Sequence, residues 1–416
     1  MRLRVILTAL LALGLGTTTG AEAGTTVEAG TTAGAGAGVR LDSGSALALG
    51  AGGFDFAQPD VVATGLEAPW GLDFLPDGSA LVAQRDQGTV LRIRPGRPPV
   101  QVAQITGVVG GGEAGLLGLA VSPTYRLDRW VYVCFTTASD IRIVRFRLNA
   151  PQNQQVILSG LARASVHDGG RIAFGPDGLL YVGVGDAGVP ANAQNLASRN
   201  GKILRIRPNG GIPAGNPFPG SPVFSYGHRN VQGLTWDARG RLFATEFGQS
   251  TSDEVNVVVP GGNYGWPIVE GPSTDPRFRA PVVVWAPAQA SPSGAAFANG
   301  TLFVAALRGA RLWTVPVSAA GQVGTPTAEL VGAYGRLRTV ELAPDGSLWV
   351  ATSNRDGRGT PAPTDDRILR FTTDERQPPP AGRAGSHAPV SRHFTVPIDT
   401  TTSSLPVCDQ NTGSSE

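Results

Sequence analysis

The sequence predicts an all-β fold, and three observations carry that prediction. Glycine (57 residues) and proline (33) are abundant in the 416-residue chain, and only 16% of its residues are charged. Such a composition suits short strands joined by tight turns rather than helical bundles. Short apolar runs alternate with polar positions and break at Pro-Asp-Gly or Asn-Gly, which supply the dihedrals that tightly joined antiparallel strands need. Finally, one unit recurs six times: an apolar strand, a tight turn, a second strand, then a third of the form Arg-Ile-x-Ile or a relative of it.

Each unit is legible in turn. The first runs Gly71-Leu72-Asp73-Phe74, the turn Pro76-Asp77-Gly78, Ala80 to Ala83, then Val90 to Ile93. The second opens on Gly118-Leu119-Ala120-Val121, continues through Trp130 to Phe135 and ends in Arg142 to Phe146. The third runs from Arg171 through Pro176-Asp177-Gly178 to Ile203-Leu204-Arg205-Ile206, and the fourth from Gly233 through Leu242 to Glu254-Val255-Asn256-Val257. The fifth turns at Asn299-Gly300 and ends in Arg311 to Val315; the sixth turns at Pro344-Asp345-Gly346 and ends in Ile368 to Phe371. A spacing of about fifty residues falls in the range of propeller blades. The expected architecture is a six-bladed β-propeller of four-stranded antiparallel blades spanning residues 54–375. An open sandwich would leave the sixfold recurrence unexplained.

The ends read differently. Arg2 and Arg4, the apolar run from Val5 to Leu15 and the small-x-small site Ala21-Glu22-Ala23 predict a secretory signal over residues 1–23. The alternative is an uncleaved anchor, but the run is short for a membrane span. The chain is therefore expected to be secreted, outside the cell or in its envelope, with no membrane span after cleavage. Residues 24–53 are mostly Gly, Ala, Thr and Ser and read as a flexible linker. Residues 376–416 open on three prolines and read as a disordered tail. Of the two cysteines, Cys134 lies in an apolar strand and Cys408 in the tail, so no disulfide framework is expected.

A net charge of +2 with both signs scattered gives no basic face for nucleic acid. Lys202 is the single lysine, so any anion site must be built from guanidinium groups. Two histidines of the folded part interrupt the repeat rather than complete it. His167 opens His167-Asp168-Gly169-Gly170-Arg171, and His228 lies in Gly227-His228-Arg229-Asn230-Val231-Gln232-Gly233. His167 is read either as a satisfied structural residue or as a base working near neutral pH. Arg336 and Arg338 share a strand face, because i and i+2 point the same way. They mark either a solvated edge or a grip on carboxylates.

These segments occur in a telling order. Gly-Glu-Ala-Gly-Leu-Leu-Gly (112–118), His-x-Gly-Gly-Arg (167–171), Gly-Lys-Ile-Leu-Arg-Ile (201–206), Gly-His-Arg-Asn-x-Gln-Gly (227–233), Asp-Glu-x-Asn (253–256), Asn-Tyr-Gly-Trp-Pro (263–267) and Arg-x-Arg (336–338) follow one another around the six units. Over roughly residues 60–372 the chain resembles the soluble quinoprotein glucose and aldose sugar dehydrogenases. The resemblance implies pyrroloquinoline quinone (PQQ) and Ca²⁺ at one mouth of the propeller. It further implies oxidation of an aldose at C1 to the lactone and an external electron acceptor. His167 then falls on the general base and Arg229 on the group that stabilises charge on the reduced quinone. Asn230 also falls at the quinone oxygens, Glu113 near the cofactor, Arg336 and Arg338 on the pair facing its carboxylates, and Arg308 on a family lysine nearby. Backbone carbonyls of Gly248 and Gln249 match the ligands of the cofactor-side calcium, and Glu254 and Tyr264 match a second, structural calcium. Several positions depart from the family pattern: Glu113 replaces Gln, Phe247 replaces His or Gln, Gln249 replaces Pro and Arg308 replaces Lys. Two other readings stay open, a non-catalytic carbohydrate- or protein-binding propeller and a calcium-dependent lactonase, since fold alone does not separate them.

Overall fold

The computed structural model describes residues 51–373. The expected signal (1–23), residues 24–50 of the expected linker and the expected tail (376–416, with Cys408) lie outside the described residues. Within them stand six four-stranded antiparallel sheets. The third blade illustrates the pattern, with strands Ile172–Phe174, Leu180–Val184, Lys202–Ile206 and Val223–Tyr226 paired in sequence order. Its register aligns Ile172 with Val182 and Leu180 with Ile206.

The innermost strands are Pro69–Phe74, Leu116–Val121, Ile172–Phe174, Val231–Trp236, Pro292–Ala298 and Leu337–Leu342. Each touches the inner strands on either side, and the last touches the first, so the ring closes. The glycines that recur at the head of the repeats explain how closely. A Cβ at Gly71 would stand 2.5 Å from the Leu119 nitrogen, one at Gly118 2.2 Å from the Gly170 oxygen, and one at Gly233 2.3 Å from the Ser293 oxygen. A side chain there would push neighbouring blades apart around the axis.

Closure also uses the start of the chain. Strand Asp60–Ala63 pairs with Ile368–Phe371 and becomes the outer strand of the sixth blade, with Val61 opposite Leu369. The sequence repeat does not announce this strand, because it lies before the first unit and completes the last. Just before it, the chain turns at Gly52 and Gly53, both at positive φ (60° and 81°), and is held by Asn299, whose Nδ2 donates to the Gly52 oxygen at 2.9 Å. Phe54 then packs edge-on against Phe303, with ring centroids 5.4 Å apart.

The core lies between blades. Leu81 and Val90 of the first blade pack with Leu116, Val133 and Phe146 of the second, and burying each such side chain contributes about 1.5–3 kcal/mol. Cys134 belongs to the next interface, fully buried and unbridged, and burial pushes its thiol well up. Pro-Asp-Gly works as expected: Gly78, Gly178 and Gly346 all take positive φ (81°, 72° and 82°). Among the described residues no helix is long and apolar enough to cross a membrane.

Candidate active site

Because the inner strands form one ring, the loops that lead into them meet at one mouth of the channel. There they enclose a cleft of about 420 Å³ lined by Glu113, His167, Arg229, Gly248, Gln249, Arg308 and Arg336, with Asp253 and Arg358. Seven of the eleven residues singled out in the sequence thus come to one surface, from five blades. The other four lie elsewhere. Asn230 and Arg338 are buried, while Glu254 and Tyr264 line a separate, much smaller pocket beyond Phe247.

His167 is held in a left-handed backbone conformation (φ 60°). Its backbone N–H donates to Glu113 Oε2 at 2.8 Å, and its Nδ1 pairs with Asp186 Oδ1 at 2.7 Å. Asp186 is fully buried and accepts two further bonds, from Trp266 Nε1 at 2.8 Å and the Gly188 N–H at 2.8 Å. Burial pushes its carboxyl up, but the hydrogen bonds from His167 and Trp266 outweigh burial and hold it below the usual carboxylate range. A carboxylate fixed on Nδ1 leaves Nε2 as the acceptor facing the cleft. The chain reverses tightly here: a Cβ at Gly185 would stand 1.8 Å from the His167 oxygen.

Arg229 is held from three sides. Gln249 Oε1 accepts from its Nε (3.0 Å) and Nη2 (2.6 Å), the Phe247 carbonyl accepts from Nη1 (3.2 Å), and Cζ stands 5.4 Å from the Trp266 ring centroid. Asn230, next in the chain, is buried, donating to Glu113 at 3.2 Å and accepting from the Gly169 N–H at 3.1 Å. Its amide therefore braces the His167 loop.

Arg336 and Arg338 both face Asp356, at 2.9 and 3.7 Å. Burial raises that carboxyl, but the two guanidinium groups outweigh burial and keep it low. Arg338 is buried, and its Nε is one of the few buried side-chain atoms among the described residues with no hydrogen-bond partner. It lines a void of about 20 Å³ directly below the cleft, shared with Trp70, Glu113 and Arg358. Arg171 is buried beside the same Trp70. Its Cζ lies 4.1 Å from the Trp70 ring centroid, and its Nε donates to the Gln232 oxygen at 2.7 Å.

The 248–252 loop has its own anchor. Glu270 Oε1 accepts four successive backbone N–H bonds, from Gln249, Ser250, Thr251 and Ser252, at 2.8–3.0 Å. In a trans peptide the carbonyl opposes the N–H, so the carbonyls of Gly248 and Gln249 point away from that carboxylate. Glu254 sits behind the loop, accepting from the Gly271 N–H at 2.7 Å and from Asn256 at 3.0 Å. Burial first, then the neighbouring Glu246, pushes its carboxyl up to about 7. The Asn256 Oδ1 beside it is buried without a partner. Tyr264 donates to the Val257 oxygen at 2.8 Å and stacks on His228. Among the described residues no group of three His, Cys, Asp or Glu side chains could hold a metal ion, so cation ligands here must include carbonyls.

Sequence reading missed Asp186, Asp356, Arg358 and Glu270; Trp266 stood in the motif Asn-Tyr-Gly-Trp-Pro (263–267) with no role attached. Asp186 had a signal: it follows the apolar strand Leu180–Val184 inside Gly-Asp-Ala-Gly, where a carboxylate has no role in the repeat. The others come from loops without readable pattern.

The glucose / sorbosone dehydrogenase family profile matches residues 66–369. The chain belongs to that family. Its fold is similar to that of the PQQ-bound aldose sugar dehydrogenase of Streptomyces coelicolor, at 48% sequence identity and a TM-score of 0.73 over 76% of this chain and 97% of that one. An aldose sugar dehydrogenase of Escherichia coli is 26% identical over 338 residues, 72% of this chain and 90% of that protein. Quinoprotein glucose dehydrogenase B of Acinetobacter calcoaceticus is 32% identical over 257 residues, 52% of this chain and 54% of that protein. The four positions expected to depart from the family pattern, Glu113, Phe247, Gln249 and Arg308, all line the one cleft.

Proposed function

We propose that this family member is an exported quinoprotein that oxidises the C1 hydroxyl of an aldose to the lactone and passes the electrons to an external acceptor. The observation that carries the reading is the His167–Asp186 pair opening onto a cleft lined by guanidinium groups. The buried, unpartnered Nε of Arg338 is the fit test for the cofactor. A buried donor left unpaired costs about 1–3 kcal/mol, and a carboxylate entering from the cleft would satisfy it.

PQQ, when bound, supplies the hydride acceptor. Arg336, Arg338 and Arg308 would hold its carboxylates, with Arg358 offsetting the charge of Glu113. Arg229, already aimed by Gln249 and Trp266, would stabilise negative charge as it develops; Asn230 braces the His167 loop. His167 would take the C1 hydroxyl proton on Nε2, while Asp186 stabilises the imidazolium that forms. Calcium is a hard cation that takes oxygen ligands, and the outward carbonyls of Gly248 and Gln249 fit it. Glu254 and Tyr264 fit a second cation, which would relieve the buried carboxylate pair and supply the missing partner of Asn256. A lactonase would need clustered acidic metal ligands in the channel, but among the described residues no group of three His, Cys, Asp or Glu side chains could hold a metal ion, and the cleft carries four arginines. Export rests on the leader-like residues 1–23.

Purified protein mixed with PQQ and Ca²⁺ should reduce a dye in the presence of an aldose. No binding of PQQ in a calorimetric titration would remove the reading.

A further inference from the structure

We infer that Trp266 is a positioning residue, whose indole ties the His167–Asp186 pair to Arg229 and sets how readily His167 takes a proton. The inference rests on His167 being the base, but its test does not require turnover. Asp186 and His167 belong to the third blade, whereas Trp266 reaches back from a loop of the fourth. Its Nε1 donates to Asp186 Oδ2 at 2.8 Å, and Arg229 Cζ lies 5.4 Å from its ring centroid. The indole is itself fixed at the backbone: the Trp266 N–H donates to the Gly227 oxygen at 3.0 Å, and its carbonyl accepts from Gln194 Nε2 at 2.8 Å. One rigid side chain therefore spaces the base from the arginine that faces it.

The chemical consequence has a definite sign. A donor on a carboxylate disperses its charge and weakens its pull on a neighbouring imidazolium. Asp186 has no exposure to water, so nothing replaces the indole N–H when it is removed. The carboxylate then holds the His167 proton more tightly. Other charges face this pair: Glu113 at the His167 backbone, Asp168 next in the chain, Arg163 nearby, and Arg229 on the Asp186 side. Asp253, Arg308, Arg336 and Arg358 line the same cleft. Trp266→Phe leaves all of them in place and keeps an aromatic face for Arg229.

Histidine-selective ¹⁵N NMR on the full chain reads this directly, because the chain holds only four histidines. His228, with both ring nitrogens bonded, serves as the internal control. Trp266→Phe should move the pH midpoint of the His167 ring signals upward and leave those of His228 in place. The acid limb of the pH–rate profile should move the same way in PQQ-loaded protein, whereas a merely structural role would lower the rate at every pH. An unchanged His167 midpoint in folded Trp266→Phe overturns the inference. If that variant fails to fold, the wild-type chain suffices: the Trp266 indole signal must titrate with the His167 midpoint, and an indole signal blind to it also overturns the inference. A shifted midpoint without oxidation of any aldose leaves the Trp266 role standing and removes the dehydrogenase reading.

Discussion

His167 and His228 enter the ring at equivalent places, each on the loop before an inner strand and each close to a glycine, yet they end in opposite environments. The His167 ring has one nitrogen bonded, to Asp186, and turns its other edge to the cleft with 15% of the side chain exposed. The His228 ring has none exposed: its Nδ1 bonds Glu246 at 3.0 Å, its Nε2 bonds Ser225 at 2.8 Å, and its face stacks on Tyr264 at 4.7 Å. The lesson is about unspent capacity. An imidazole with both nitrogens committed can only hold structure, whereas one fixed at Nδ1 and free at Nε2 is equipped to move a proton.

The comparison breaks first at His167. Its left-handed backbone tolerates asparagine better than alanine, so His167→Asn removes the base with little strain. A positioned base typically contributes about 10² to 10⁴-fold, and a loss of that size in dye reduction is expected with the melting midpoint nearly unmoved. Turnover at the wild-type rate would make the two histidines alike after all. Next in size is the Arg336→Ala/Arg338→Ala pair. A charge-assisted hydrogen bond contributes about 1.5–3 kcal/mol, so PQQ affinity measured by calorimetry with Ca²⁺ present should fall about a hundredfold or more. If the pair serves only to neutralise Asp356, the affinity will not change.

The two histidines also mark where sequence legibility ended. The propeller could be read because each blade repeats its strand pattern and turn chemistry locally, down to the glycines that let inner strands touch. The outer strand Asp60–Ala63 could not, because its partner Ile368–Phe371 lies at the other end of the chain. At the site, His167 and Arg229 stood out in polar interruptions of an apolar repeat and Arg336 as one of two arginines on a strand face, while Glu113 came only from the family resemblance, which also assigned the roles of the others. Nothing in the sequence said that Arg338 lies beneath the cleft rather than in it, since strand parity gives a face but not a depth. Nor could it pair His167 with Asp186, which depends on a backbone reversal at Gly185.

At His228 the expected effect is smaller and of another kind. Removing its ring by His228→Ala unstacks Tyr264, strips one partner from Glu246 and orphans the buried Ser225 hydroxyl. Together these should cost about 2–4 kcal/mol, read as an earlier midpoint in urea unfolding. A variant that loses turnover at unchanged stability would mean that His228 has a chemical role its bonding does not suggest.

The smallest effect sharpens the comparison at the His167 end, where Glu113 does two things at once. Its Oε2 accepts the His167 backbone N–H at 2.8 Å and the Asn230 amide at 3.2 Å, while its charge faces the cleft in which a tricarboxylate would lie. Arg358 answers that charge from 3.6 Å with 57% of its own side chain exposed. Pairs so open to water contribute about 0–1 kcal/mol, so the offset is incomplete. Glu113→Gln keeps an oxygen for both donors and removes the charge. The His167 loop should therefore hold its shape while PQQ affinity rises, by no more than about fivefold for 1 kcal/mol. In Arg358→Ala the affinity should fall by a similar factor, and the double variant should return close to wild type. A weaker affinity in Glu113→Gln would mean that the carboxylate itself grips something bound in the cleft, and the charge conflict would dissolve.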